Sequence, residues 1–216
     1  YEYRDLLQFG WLGDKDAGES FFKGGQRMGF DFNSFHFFAR KLGLVESLAL
    51  GDFTVNLGQG LIHWQGLAFK KSAEITAVKR QSPVLKPYRS AGEFYFHRGI
   101  GVTLKKGNWS STFFGSIRRL SANTQTDSAG KKLYVTSVLN SGLHRSDNEL
   151  ADRLSLRQTS VGGNIRFKKR QWQAGLNGVY YLFSLPIQKR DEPYNYYSRN
   201  GSRWANLSVD YSIGSG

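Results

Sequence analysis

The 216 residues include no cysteine, which removes disulfide staples, thiolate nucleophiles and cysteine-ligated metal centres at once. No stretch reaches the run of about 18 apolar residues that a membrane-crossing helix needs. That absence leaves strands free to cross, because a barrel strand spans with about 9–11 residues that are apolar on one face only. A secretory leader is also missing: the chain opens at Tyr1 with YEYRDLLQFGW, already strand-like, and is expected to be mature or trimmed. Proline is scarce at 4, and acidic residues, at 17, are outnumbered by 30 Lys and Arg, for a formal charge of +13. Such a basic balance suits either nucleic acid or an anionic surface, membrane lipid and lipopolysaccharide phosphates included.

What is present argues for strands. Aromatic residues make up 15% of the chain and glycine reaches 25. A disordered chain does not carry that aromatic load. Period-two alternation dominates. Phe94, Phe96, Arg98, Ile100, Val102 and Leu104 share one face, against Glu93, Tyr95, His97, Gly99, Gly101 and Thr103. Val161 to Phe167, Trp172 to Leu182 and Ala205 to Ile213 repeat the alternation. These are strands with one apolar and one polar face.

Expected strands cover 3–12, 29–38, 44–50, 53–64, 92–104, 109–120, 159–167, 172–184 and 203–213, with a further candidate at 133–139. Short turns are expected at 51–52, 105–108 and 168–171. There Leu50 and Phe53, Leu104 and Trp109, and Phe167 and Trp172 join apolar face to apolar face. Leu104, Trp109, Phe167, Trp172, Ala174, Leu176, Val209 and Tyr211 are therefore expected to face away from a lumen. Long connections fall near 65–91, 121–158 and 185–202. Short turns on one side and long loops on the other is the outer-membrane barrel plan. Inside one long loop, Ser146 precedes Glu149 at capping-box spacing, and Leu150 and Leu154 fall on one face, so a short helix is expected near 147–156.

The stretches GDFTVNLGQGLIHWQGLAFKKS (51–72) and SGLHRSDNELADRL (141–154), with Ser90-Ala91-Gly92-Glu93 between them, resemble a family of Bacteroidota outer-membrane barrels. Its members usually carry the label "helix-hairpin-helix domain-containing protein", by likeness to competence proteins. The resemblance spans about residues 30–185. It implies a barrel in the outer membrane and little about activity. In that family the helix-hairpin-helix units precede the barrel. The resemblance carries no DNA-binding residue onto this chain.

Chemical constellations are few. His36, His63, His97 and His144 include no pair at helical metal-ligand spacing. Glu93, Tyr95, His97 and Arg166 are candidate lumen residues by parity, hydrogen-bonded rather than catalytic. His144-Arg145 reads as a loop anchor in preference to an anion site. Gly58-Gln59-Gly60 lacks phosphate-loop spacing, and marks a bend in the wall or a plug contact. Paired cations, among them Lys70-Lys71, Lys105-Lys106 and Lys168-Lys169-Arg170, flank strands, where they can snorkel to lipid phosphates. A nucleic-acid groove would interleave cations with aromatics along one face. Trp11, Trp64, Trp109, Trp172 and Trp204 fall near strand ends, as in an aromatic girdle.

The reading is an all-β, antiparallel transmembrane barrel, or a large segment of one, as a single domain over 1–216. The C-terminal YSIGSG lacks a closing aromatic, so the chain is expected to be part of a longer one. Its expected place is the outer membrane of a Gram-negative bacterium, with the lipid bilayer and lipopolysaccharide as partners. A partner protein or an N-terminal domain could join them. The expected role is structural, porin-like transport or secretion anchoring, without catalytic, cofactor or metal residues. The rivals are a DNA-binding or DNA-uptake protein, acting through a region outside this chain, and an outer-membrane barrel hydrolase.

Overall fold

A computed structural model describes residues 1–18, 22, 29–66, 80 and 82–214. The strands are β1 (Glu2–Tyr3), β2 (Leu7–Asp14), β3 (Phe32–Leu42), β4 (Val45–Val55), β5 (Leu85–Pro87), β6 (His97–Lys106), β7 (Trp109–Leu120), β8 (Ala122–Thr126), β9 (Lys132–Val138), β10 (Leu156–Lys169), β11 (Trp172–Ile187) and β12 (Gly201–Ile213). Among the described residues one α-helix, α1 (Asp147–Asp152), and a 3-10 turn at Pro193–Asn195 interrupt them. The architecture is all-β as expected. Eight long strands run as an antiparallel meander in the order β2-β3-β4-β6-β7-β10-β11-β12. The sheet is open: among the described residues β1 and β12, at its two margins, do not pair with each other.

The two faces differ in kind. One ladder row crosses all eight strands through Phe9, Phe37, Leu50, Ile100, Gly115, Val161, Tyr180 and Ala205. The next row runs through Leu7, Ala39, Leu48, Val102, Phe113, Gly163, Gly178 and Leu207. Tyr180 apart, with its hydroxyl, neither row carries a polar side chain, yet Phe9, Ile100, Phe113, Val161 and Leu207 are exposed. The opposite face carries buried polar groups, among them Thr112, Ser160, Asn164 and Asn177. A water-soluble sheet with one covered face puts its apolar side chains under the cover and its polar ones outside. Here the outer face is the apolar one. Leu104, Trp109, Phe167, Trp172, Ala174, Leu176, Val209 and Tyr211 all stand on it, as expected.

Three tight turns share one end. Leu42 pairs with Val45, Lys106 with Trp109 and Lys169 with Trp172. The Lys105 N–H donates to Leu44 O at 2.9 Å and the Lys168 N–H to Asn108 O at 2.9 Å, tying the turns side by side. The turns at 105–108 and 168–171 are thus two residues tighter than expected, a shift that preserves parity. The turn expected at 51–52 is not one. Gly51 sits inside β4 with φ +84°, and a Cβ there would come within 2.3 Å of Phe35 O. Only glycine tolerates that conformation and approach, so Gly-Asp marks an irregularity in a continuous strand. The reversal falls instead at Gly43 (φ +63°) and Leu44.

Residues 56–64, expected to extend a strand, leave the sheet. They fold back through a Leu57 N–H to His63 O bond at 3.0 Å and lie against the covered face. Leu57, Val84 and Leu85 pack there with Phe38, Phe53, Phe114 and Val179. Gly58 and Gly60, both at positive φ, permit the reversal. The expected connection at 65–91 contains β5 against β4, and its residues 67–79 and 81 lie outside the described residues, as do Lys70 and Lys71. The candidate strand at 133–139 is β9, paired with the unforeseen β8. Helix α1 begins at the expected capping box and is shorter than expected, ending at Asp152.

Candidate functional site

The covered face holds a hydrogen-bonded line of four side chains. Ser160 Oγ lies 3.1 Å from His97 Nδ1, His97 Nε2 lies 3.0 Å from His63 Nε2, and His63 Nδ1 lies 2.9 Å from the Tyr181 hydroxyl. His97 projects from β6, Ser160 from β10 and Tyr181 from β11, while His63 comes from the folded-back segment. The segment is thereby pinned to three wall strands. Burial pushes the His63 imidazole down to about 4. A neutral imidazole can donate through one nitrogen and accept through the other, so it can bridge two strands without burying a charge.

Asn56 braces the same segment. Its Oδ1 accepts from Gly66 N at 2.7 Å and Gln65 N at 3.1 Å, and its Nδ2 donates to Ser82 Oγ at 3.1 Å. Nearby, Arg118 donates from Nε to Gln158 Oε1 at 2.8 Å. Across the wall, Asn164 Nδ2 donates to Asn177 Oδ1 at 2.6 Å, and Asn177 Nδ2 to Asp210 Oδ2 at 2.8 Å.

A second cluster lies at the long-connection end. Asp31 precedes β3, Ser121 joins β7 to β8, and His144 precedes α1. Ser121 Oγ lies 3.1 Å from His144 Nε2, and His144 Nδ1 lies 3.0 Å from Asp31 Oδ2. The side chains of Asp31 and His144 are both buried. Glu93 joins them: one ligand atom from each of Asp31, Glu93 and His144 falls within 4.8 Å of the other two. One imidazole and two carboxylates are the residues here that could hold a divalent ion. Arg153 donates to Asp31 O at 2.5 Å. A cavity of about 220 Å³ opens beside the cluster, lined by Asp31, Glu93, Ser121 and Arg153 among others.

The candidate residues read from the sequence divide. Trp11, Trp109 and Trp172 are exposed on the outer face, and Trp109 stacks near Phe167 with ring centroids 4.8 Å apart. Lys105, Lys106, Lys168, Lys169 and Arg170 are exposed beside the tight turns. Trp64 and Trp204 correct the girdle expectation. Trp64 belongs to the folded-back segment, where Arg80 stacks over its ring, and Trp204 packs inward against Phe183. Of the lumen candidates His97 is buried and hydrogen-bonded on the covered face, Arg166 is half-buried on the same face, and Glu93 belongs to the second cluster. Tyr95 is exposed, ahead of β6. Arg98, which broke the apolar alternation, stands opposite Asp52 and holds it through two 2.7 Å bonds.

His144 acts as the loop anchor foreseen, but Asp31 and Ser121 carried no sequence signal. They lie far from His144 in the chain and match no spacing motif. Comparison with known protein families, with curated proteins and with solved structures found no match.

Proposed function

We propose that this chain is a wall segment of a β-barrel in the outer membrane of a Gram-negative bacterium. One observation carries the reading: the two adjacent ladder rows, apolar but for one tyrosine hydroxyl, that cross all eight long strands on the exposed face. Exposed apolar surface on that scale marks contact with an apolar phase. Strand pairs satisfy the backbone within that phase, as a barrel requires. The flanking chemistry agrees. Trp109, Phe167 and Tyr211 form a row beside Lys106 at the tight-turn end, an aromatic belt next to a cation that reaches headgroup or lipopolysaccharide phosphates.

The covered face favours an anchoring or gated role over an open pore, because the segment 56–66 lies across it, held by Asn56 and His63. Likeness to the Bacteroidota family with the helix-hairpin-helix label belongs to this proposal, with any DNA contact left to regions outside the chain. The test is insertion. Purified protein is offered to anionic vesicles and to duplex DNA in moderate salt. The same assays follow with Lys105, Lys106, Lys168, Lys169 and Arg170 changed to Gln. Detergent-dependent solubility and vesicle insertion are expected. Detergent-free solubility, with DNA retention that collapses in the variant, would replace the membrane reading by the nucleic-acid one.

A further inference from the structure

We infer that Ser121, His144 and Asp31 form a serine-nucleophile site that hydrolyses carboxylic esters carrying an anionic group. The inference does not rest on the membrane reading, since the three residues would stand together in either solvent.

The atoms are matched as a nucleophile relay requires. His144 turns Nε2 to Ser121 Oγ at 3.1 Å and Nδ1 to Asp31 Oδ2 at 3.0 Å. A carboxylate on Nδ1 fixes the tautomer that leaves Nε2 able to take the serine proton. Asp31 and His144 side chains are each 2% exposed, while Ser121 lines the cavity. The nucleophile thus borders the open space together with Asp31, and His144, which bridges the two, does not line it. Glu93 stands within 4.8 Å of both, a second carboxylate beside the imidazole.

The cavity supplies the rest. Arg153 lines the cavity, and its Nη2 bond to Asp31 O fixes a guanidinium N–H donor beside that space. Such a donor suits the oxyanion of a tetrahedral intermediate. Arg118 and Arg119 line the same cavity, and Arg98 there is already matched by Asp52. Set against Asp31 and Glu93 on the same lining, one positive charge is left over, which favours an ester whose acyl or alcohol part bears a carboxylate or phosphate.

The steps balance with water as the only co-reactant. Ser121 Oγ bonds to the ester carbonyl carbon as its proton passes to His144 Nε2. The carbon–oxygen bond to the alcohol breaks, and the alcohol leaves with that proton. Water then attacks the acyl carbon and gives its proton to His144. The acyl–Oγ bond breaks, the carboxylic acid departs, and the proton returns to Ser121.

The test is covalent capture in the folded whole chain. A fluorophosphonate probe is applied, and the adduct is located by peptide mass. One adduct on Ser121 is expected, none on heat-unfolded protein, and none at that peptide in Ser121→Ala. Asp31→Asn, which presents a donor amide to Nδ1, should slow labelling at least ten-fold while circular dichroism stays unchanged. Hydrolysis of a 4-nitrophenyl ester with a terminal carboxylate should exceed that of its neutral analogue, and Arg153→Met should narrow the difference. Absence of a Ser121 adduct on folded protein overturns the inference. So does labelling that proceeds equally well in Asp31→Asn, which would leave the three residues as a loop clasp.

Discussion

Replacing Leu176 with arginine distinguishes a lipid-facing sheet from one in water. Leu176 lies on β11, 52% exposed on the outer face, between Ile165 and Val209. In a barrel wall it stands one row inside the aromatic belt, so arginine there should cost between the about 0–1 kcal/mol of an interface and the about 2–4 kcal/mol of the midplane. In water the same change at a half-exposed site costs within about 1 kcal/mol, and the charge itself is welcome. The strand supplies its own depth control. Ala174 points the same way, one row nearer the tight turns, in line with Trp109, Phe167 and Tyr211. Ala174→Arg is therefore expected near the interfacial value, so the two variants should differ by about 1 kcal/mol. The assay is reversible guanidinium unfolding in lipid vesicles, followed by tryptophan fluorescence. Equal costs at the two sites, or a Leu176→Arg cost below about 0.5 kcal/mol, would refute a lipid-facing outer row.

Four further outcomes follow from particular contacts. In single-tryptophan variants, brominated lipid should quench Trp11, Trp109 and Trp172 strongly and Trp64 and Trp204 weakly; uniform quenching would contradict the assignment of faces. Arg98→Ala strips the partner from the buried Asp52 and should cost about 2 kcal/mol in equilibrium unfolding. That is less than a fully buried pair, because Arg98 is half in solvent. The folded-back segment should loosen in acid. A neutral His63 favours the folded state while the unfolded imidazole takes a proton, so its contribution is complete above about pH 6.5 and is lost as pH falls toward about 4. Limited proteolysis between residues 56 and 66 should rise over that window, and His63→Gln should reduce that pH dependence. Ser146→Ala removes the cap of α1, where Ser146 Oγ accepts from Glu149 N at 3.3 Å, and should cost about 1 kcal/mol locally. Amide exchange at Leu150 should speed while global unfolding holds steady.

Parity was legible in the sequence because side-chain direction in a strand has a period of two and needs no knowledge of neighbours. Thus the outward set from Leu104 to Tyr211 and the covered His97 were readable locally. The capping box was readable for the same reason, since Ser146 and Glu149 satisfy each other's backbone within one turn. Gly51 misled because glycine serves a turn and an in-strand irregularity equally well. Only the approach of Phe35 O, sixteen residues earlier in the chain, selects the second.

The eight long strands and the apolar face of each could be read along the chain, because alternation depends on near neighbours, whereas β8 and the departure of residues 56–64 could not. Tertiary structure alone decided what meets on the other face. It folds residues 56–64 inward, where Leu57 finds Phe53 and Phe114, and this turns Trp64 away from the outer surface. It also draws Asp31, Ser121 and His144 from three separate connections to within about 3 Å contacts of one another. Long loops converge according to how the wall strands order and tilt, and no local spacing in the chain records that order.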